Sequence, residues 1–276
     1  MYICATPIGN LKDISIRALE ILSASDIILC EDTRTSKQLL SAHGISYKQL
    51  IALHQHNENQ ITEKVLSYLA DGLTITQISD AGTPGISDPG ARLCRSVLAA
   101  GYQVSPIPGA CAYISLLSVS GLDKPSLFYG FLPSTKTARV KVLEGFVDSS
   151  YAVGIYESPH RILESVADIV AILGENREII MGRELTKQFE TIKHGTTAEL
   201  FEFIRNDPNQ QRGEFVLLIY PKTISKKPTE TLTGEQIKVL KLLLPELPPK
   251  KAVAITHKLT GANKDLLYNY AIELAK

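Results

Sequence analysis

The chain reads as an α/β protein with two lobes and a small all-α C-terminal appendage. Three observations predict this architecture. Apolar runs of strand length alternate with stretches of helical period, turn-forming clusters fall directly after the apolar runs, and 276 residues exceed the usual size of one compact core.

In the first lobe, residues 1–112, strands are expected over Tyr2–Ala5, Asp26–Cys30, Leu73–Ile78 and Tyr102–Ile107. The clearest helix is Gln60–Ala70. Ile61, Val65, Leu66 and Leu69 fall on one of its faces, and Gly72 follows where a left-handed cap is wanted. A second helix is expected from Asp88-Pro89, an acid at the cap and proline in the first turn, burying Leu93, Val97 and Leu98 and stopping at Gly101.

The second lobe, residues 113–221, joins the first near residues 112–125. It repeats the style with strands near Leu127–Tyr129, Ala152–Tyr156, Glu178–Met181 and Phe215–Tyr220. Ser158-Pro159 again suggests a cap and first-turn proline. Ile162, Leu163, Val166, Ile169, Val170 and Leu173 form a buried stripe before Gly174. Between Pro221 and Gly234 the composition turns to Lys, Pro, Ser and Thr, as in a linker. Beyond it, in the third segment, 222–276, three short helices are expected over Gln236–Leu244, Lys250–Leu259 and Lys264–Ala275.

Composition narrows the function. The 44% hydrophobic and 21% charged residues are those of an ordinary globular protein. No window approaches the roughly 18 apolar residues of a membrane span, and the N-terminus carries no basic leader, so a cytoplasmic protein with no membrane partner is expected. Cys4, Cys30, Cys94 and Cys111 are scattered among apolar neighbours without CxxC spacing, which predicts buried thiols rather than a metal site or disulfides. Net charge is zero but unevenly spread. Residues 221–276 hold ten Lys against five acids, a local +5, leaving −5 on residues 1–220. A lysine-rich end on an acidic body can steer a polyanion, although a solvated helical face has the same composition.

The densest turn cluster, Ser79-Asp80-Ala81-Gly82-Thr83-Pro84-Gly85-Ile86-Ser87-Asp88-Pro89-Gly90, sits directly after a predicted strand. In an α/β lobe, ligands bind outside the carboxyl ends of strands, where glycines let backbone approach them. A simple strand-to-helix turn needs only one or two such residues. No G-x-G-x-x-G occurs, and Gly85–Gly90 continues Ala91-Arg92 where a phosphate loop needs Lys-Ser/Thr, which disfavours an NTPase. H-E-x-x-H and G-x-S-x-G are absent as well. Two more strand-end elements, Ala5-Thr6-Pro7-Ile8-Gly9-Asn10 and Pro106-Ile107-Pro108-Gly109-Ala110-Cys111-Ala112, could meet the first on one rim. Small, neutral, glycine-lined recognition suits an adenosyl group better than a triphosphate. Charged residues concentrate after further strands, as Glu31-Asp32-Thr33-Arg34, Glu157-Ser158-Pro159-His160-Arg161 and Arg183-Glu184-Leu185-Thr186-Lys187. Surface ion pairs are the plain alternative for any one of these.

Taken in order over residues 1–221, these motifs resemble the tetrapyrrole (corrin/porphyrin) methylases. Within that family they are similar to the branch that methylates small-subunit ribosomal RNA. Ala81-Gly82-Thr83-Pro84, standing where the macrocycle-methylating relatives usually have Gly-Gly-Asp-Pro, favours the RNA branch. The resemblance implies the class III methyltransferase fold, S-adenosylmethionine as methyl donor with no metal, 2′-O-methylation of a cytidine in small-subunit (16S) ribosomal RNA, and a homodimer. It also implies a cofactor site from Asp80, Ala81, Gly82, Thr83 and Ile86, with Ile8, Cys111 and Ala112 beside them. The second lobe would add Tyr156, Leu185, Gly213, Glu214 and Phe215. Arg34, Glu184 and Lys187 are the candidates to orient the ribose and phosphate or to assist deprotonation. Two readings compete: a tetrapyrrole C-methyltransferase, and a non-catalytic RNA-binding protein of ribosome assembly.

Overall fold

The computed structural model describes residues 1–54, 57–222 and 232–274. It divides into two compact units, Met1–Lys222 and Thr223–Lys276. Most of the linker expected between Pro221 and Gly234 lies outside the described residues.

The first lobe is a five-stranded parallel sheet of short strands, β1 (Tyr2–Cys4), β2 (Ile27–Cys30), β3 (Gln49–Ala52), β4 (Ile75–Gln77) and β5 (Ser105–Ile107), in the order β3-β2-β4-β1-β5. Its helices are α1 (Ile16–Ala24), α2 (Thr33–Ala42), α3 (Glu58–Ala70) and α4 (Ala91–Ala99). Both sheet faces are covered, so the strands read as continuous apolar runs. On β2, Ile28 and Cys30 pack with Leu22 of α1 and Leu40 of α2. Ile27 and Leu29 face the other way, toward Ile61 and Val65 of α3 and Leu93 and Val97 of α4. Each such fully buried aliphatic side chain contributes about 1.5–3 kcal/mol.

Helix α5 (Ala112–Val119) leads into the second lobe, a mixed sheet in the order β6-β7-β10-β8-β9. Its strands are β6 (Ser126–Phe131), β7 (Ala152–Glu157), β8 (Glu178–Arg183), β9 (Thr191–Thr196) and β10 (Phe215–Ile219). Helices α6 (Lys136–Glu144), α7 (Ile162–Leu173) and α8 (Thr197–Asn206) cover one face, against Val153, Ile155, Met181 and Leu217. Arg139, 1% exposed, ties α6 to α7 through a 2.8 Å hydrogen bond from Nε to Asp168. The opposite face packs Val216, Leu218 and Ile180 against Tyr113 and Leu116 of α5. Tyr113 lies so close over β7 that a Cβ on Gly154 would come within 2.2 Å of its ring. The connection expected near residues 112–125 is therefore largely a packed helix. The lobes also meet at Asn10, whose amide donates to the Thr186 hydroxyl at 3.1 Å, and at Gly9, where a Cβ would strike Lys187.

The second unit is all-α: α9 (Gly234–Leu243), α10 (Pro249–Thr260) and α11 (Lys264–Leu274). Thr233 and Gln236 form a capping box at the start of α9, and Gly261, with φ 70°, ends α10. Leu240, Ala252, Val253, Leu267 and Ala271 form its core. The three expected helices are all present; the expected end of the last, Ala275, lies outside the described residues.

The structure corrects the sequence reading at four places. Helix α4 begins at Ala91 with Gly90 at its cap (φ 119°), not at Asp88-Pro89, and Leu98 is 58% exposed rather than buried. Its first amides are instead satisfied from α3: buried Glu58 accepts hydrogen bonds from Arg92 N at 3.2 Å and Leu93 N at 3.1 Å. Helix α7 begins at Ile162, and Ser158 contributes its carbonyl, which accepts from Arg161 N and Ile162 N. Strands β3 and β9 went unpredicted. Both are sheet edges, and TIKHGT on β9 carries the polar residues that edges use to avoid further pairing.

Because Glu58 caps α4 from another helix, Glu58→Ala leaves the buried Leu93 amide and the part-buried Arg92 amide without this acceptor and should cost about 1–3 kcal/mol. Urea denaturation measures this, and a loss much smaller than 1 kcal/mol would refute the capping role.

Candidate active site

In the parallel sheet β1 and β4 are neighbours, yet their connections part: β1 leads through α1 to β2 on one side, β4 through α4 to β5 on the other. Such a switch point opens a crevice at the carboxyl ends of the strands. The loops that leave it are locked together. Thr6 and Gly82 exchange two backbone hydrogen bonds, of 2.8 and 3.1 Å. The Ser79 hydroxyl donates to Gly82 O at 3.0 Å, and the Thr83 hydroxyl to Ala110 O at 3.0 Å. Gly82 has φ 88°, and a Cβ there would press on Ile8 at 3.3 Å, so both conformation and space require glycine.

These loops and the ends of β7, β8 and β10 enclose a cavity of about 340 Å³, within the size range of small-molecule sites. Of the residues expected to bind a cofactor, Ile8, Asp80, Ala81, Gly82, Thr83, Ile86, Cys111, Ala112, Tyr156, Leu185, Glu214 and Phe215 line it. Gly213 does not. With φ 98° and no side chain it makes room for Glu184 instead. The wall also includes Glu31, Ser87, Asp88, Phe131, Glu157, Ser158, Pro159, Gly182 and Val216, which sequence reasoning did not select. Several stand inside the strand-end motifs, so position after a strand was the available signal. Phe131 was not reachable that way, because β6 runs two residues beyond the strand expected to end at Tyr129.

Five carboxylates line the cavity, Glu31, Asp80, Asp88, Glu157 and Glu214, and among the described residues no Lys, Arg or His does. Burial, then the charge of Glu31, pushes Asp88 up to about 6, against a hydrogen bond with Ser79. Burial followed by the charge of Asp80 raises Glu31, and burial raises Asp80 despite the amide of Asp32. Glu157, 2% exposed, accepts from Ser158 N at 2.7 Å and the Ser165 hydroxyl at 2.6 Å and pairs with Arg161 at 2.7 Å. On the facing lobe, burial raises the Tyr156 phenol, whose oxygen accepts from Tyr113 N at 3.3 Å. No group of three or more His, Cys, Asp or Glu among the described residues is placed to hold a metal ion.

Arg34, Glu184 and Lys187 stand outside this wall. The Arg34 side chain is 87% exposed and pairs with Asp32 at 2.6 Å. Glu184 and Lys187 form a clamp: Lys187 Nζ lies 2.8 Å from Glu184 and 2.9 Å from Glu214, and Glu214 N donates to Glu184 at 2.9 Å. Burial would lower Lys187, but the two carboxylates outweigh it and hold the ammonium above its ordinary range, the opposite of what a lysine base needs. Glu184 (φ 51°) and Thr186 (φ 66°) are left-handed in this clamp, a strained backbone that the surrounding hydrogen bonds maintain.

Residues 1–200 match the family described as Tetrapyrrole (Corrin/Porphyrin) Methylases, and residues 230–275 match the RsmI C-terminal HTH domain. The chain is 45% identical over 273 residues to ribosomal RNA small subunit methyltransferase I of Haemophilus influenzae, covering 99% of this chain and 96% of the relative. It is 42% identical over 273 residues to the protein of the same name from Neisseria meningitidis serogroup B, covering 99% and 92%. Among solved structures, the cobalamin biosynthetic enzyme cobalt precorrin-4 methyltransferase superposes with a TM-score of 0.57 at 14% identity, covering 79% of this chain and 93% of that one. The chain therefore belongs to the tetrapyrrole (corrin/porphyrin) methylases, in the ribosomal RNA small subunit methyltransferase I family.

Proposed function

We propose that the protein transfers the methyl group of S-adenosylmethionine to the ribose 2′-oxygen of a cytidine in small-subunit ribosomal RNA. The observation that carries this reading is the cavity at the switch point, lined by a glycine loop pinned to the loop after β1 and by five carboxylates, with no Lys, Arg or His among the described residues of its wall. The donor has a sulfonium and an ammonium against one carboxylate, so such a wall suits it and opposes polyphosphates. The residues fit the donor: Ala81, Gly82 and Thr83 offer backbone at close approach, while Ile8, Ile86 and Leu185 offer apolar surface for a flat base. When bound, the donor supplies an electrophilic methyl group. The chain supplies position, which is the larger part of catalysis in a direct transfer between two held reactants. The clamp of Glu184, Lys187 and Glu214 shapes the mouth from the second lobe, and exposed Arg34 is a phosphate contact at the rim.

Incubating the protein with methyl-labelled donor and small ribosomal subunits from a strain lacking it, then digesting to nucleosides, should place the label on 2′-O-methylcytidine. Label in a porphyrinogen instead, or RNA binding without label, would replace this reading with one of its competitors.

The helical unit is proposed as an RNA-contacting arm, supported by six lysines against four acids over residues 232–274 and by the helix-turn-helix match. Each lysine on phosphate releases counterions. Replacing the exposed pair Lys250 and Lys251 by Gln should therefore reduce the slope of log affinity against log salt by about 2, with the greatest loss at low salt. An unchanged slope would make the unit a packing element. We propose also a cytoplasmic homodimer. Exposed Ile114 (54%) and Val119 (56%) on α5 support an interface, and light scattering that finds only monomer at micromolar concentration would refute it.

A further inference from the structure

Partners sort the five carboxylates of the cavity. Glu157 is held by an amide, a hydroxyl and a guanidinium. Asp80 accepts from Asp32 N at 3.0 Å, and Glu214 is paired with Lys187. Glu31 and Asp88 are left without an ion-pair partner among the described residues, Asp88 being held only by a hydrogen bond with Ser79. Asp88 is the more buried of the two. The backbone around Asp88 is fixed. Ser87 before it is left-handed at φ 66°, Pro89 follows with its carbonyl held by Gln77 Nε2 at 2.9 Å, and Gly90 turns at φ 119°. Asp88 and Tyr156 of the opposite lobe line the same cavity.

We propose that Asp88, on the cavity wall beside Glu31, is the proton acceptor for the substrate hydroxyl. The assignment rests on the methyl-transfer reading above. In the step, the hydroxyl oxygen bonds to the methyl carbon, the carbon–sulfur bond breaks with its electron pair going to sulfur, and the hydroxyl proton passes to the Asp88 carboxylate. One O–H and one S–C bond are exchanged for one O–C and one carboxylic O–H, and no other reactant is needed. The ionisable groups facing Asp88 are Glu31 from the end of β2, Asp80 on its own loop and Tyr156 from β7. None of them is cationic, and only the hydrogen bond with Ser79 acts against its basicity. A carboxylate titrating at about 6 is a better base at neutral pH than one at its ordinary value. The base acts only when ionised, so the rate falls as pH drops through that value.

The test is the single-turnover rate on small subunits at saturating donor, followed across acid and neutral pH. Wild type should lose about tenfold in rate per pH unit on the acid side. Asp88→Asn should lower the neutral-pH rate by about 10²–10⁴-fold and abolish the acid limb, Asp88→Glu should restore the limb, and Glu31→Gln should move it to lower pH. Calorimetry supplies a second reading without turnover. Near pH 6, binding of the cationic donor should release more protons than binding of its neutral thioether product, and Asp88→Asn should erase the difference. An Asp88→Asn protein that keeps the wild-type rate and limb, or the proton release, overturns the assignment and leaves the methyl-transfer reading intact. Wild-type protein that labels no RNA overturns both. Thermal unfolding of each variant separates lost chemistry from lost fold.

Discussion

Two backbone hydrogen bonds between Thr6 and Gly82 are the constraint on which the rest of the site depends. They join the loops that leave neighbouring strands in opposite directions, and so fix the crevice that strand order alone only opens. The constraint requires glycine at position 82, because φ 88° and the contact with Ile8 exclude a side chain. The Thr83 hydroxyl then pairs the carbonyl of Ala110, and the Ser79 hydroxyl adds a second hydrogen bond to that of Gly82. What remains exposed to the cavity is neutral backbone and apolar surface, with carboxylates around it.

The second lobe completes the wall by a different device. Its sheet turns one face to three helices and the other to α5, and Tyr113 of α5 seats on Gly154 while its amide donates to Tyr156. The helix that links the lobes thereby also orients a phenol in the cavity. Strain collects nearby, at Ser87, Glu184 and Thr186, all non-glycine residues with positive φ beside the site. Each costs of order 1–3 kcal/mol and persists because the hydrogen bonds around it over-determine the loop.

Much of this was legible in the sequence, and for physical reasons. Doubly covered strands must be apolar throughout, and ligand loops need turn residues after strands, so the first lobe and the loop from Asp80 to Ile86 could be read directly. Edge strands β3 and β9 could not: β3 is an apolar run of only three residues after Gln49, and β9, TIKHGT, is polar and looks like a loop. Helix starts failed where a partner far along the chain did the capping: Glu58 serves α4, so Asp88 was released to the cavity. The same logic misled the choice of reactive groups. Glu184 and Lys187 stood out as charges at a strand end, but in three dimensions they satisfy each other. Asp88, hidden inside what looked like a capping pair, has no such partner. Charge density along a sequence marks where polar groups gather, and only packing shows which of them are already spent on one another.

The all-acid lining has a consequence for competition inside a cell. Adenosine phosphates share their base and sugar with S-adenosylmethionine and are abundant, so shape recognition of adenosine by itself would leave the site vulnerable to them. Five carboxylates on the wall, only two of them paired with a cation, make every phosphate group a liability for the intruder. The wall that suits a sulfonium thus also disfavours the phosphates of the commonest adenosine compounds.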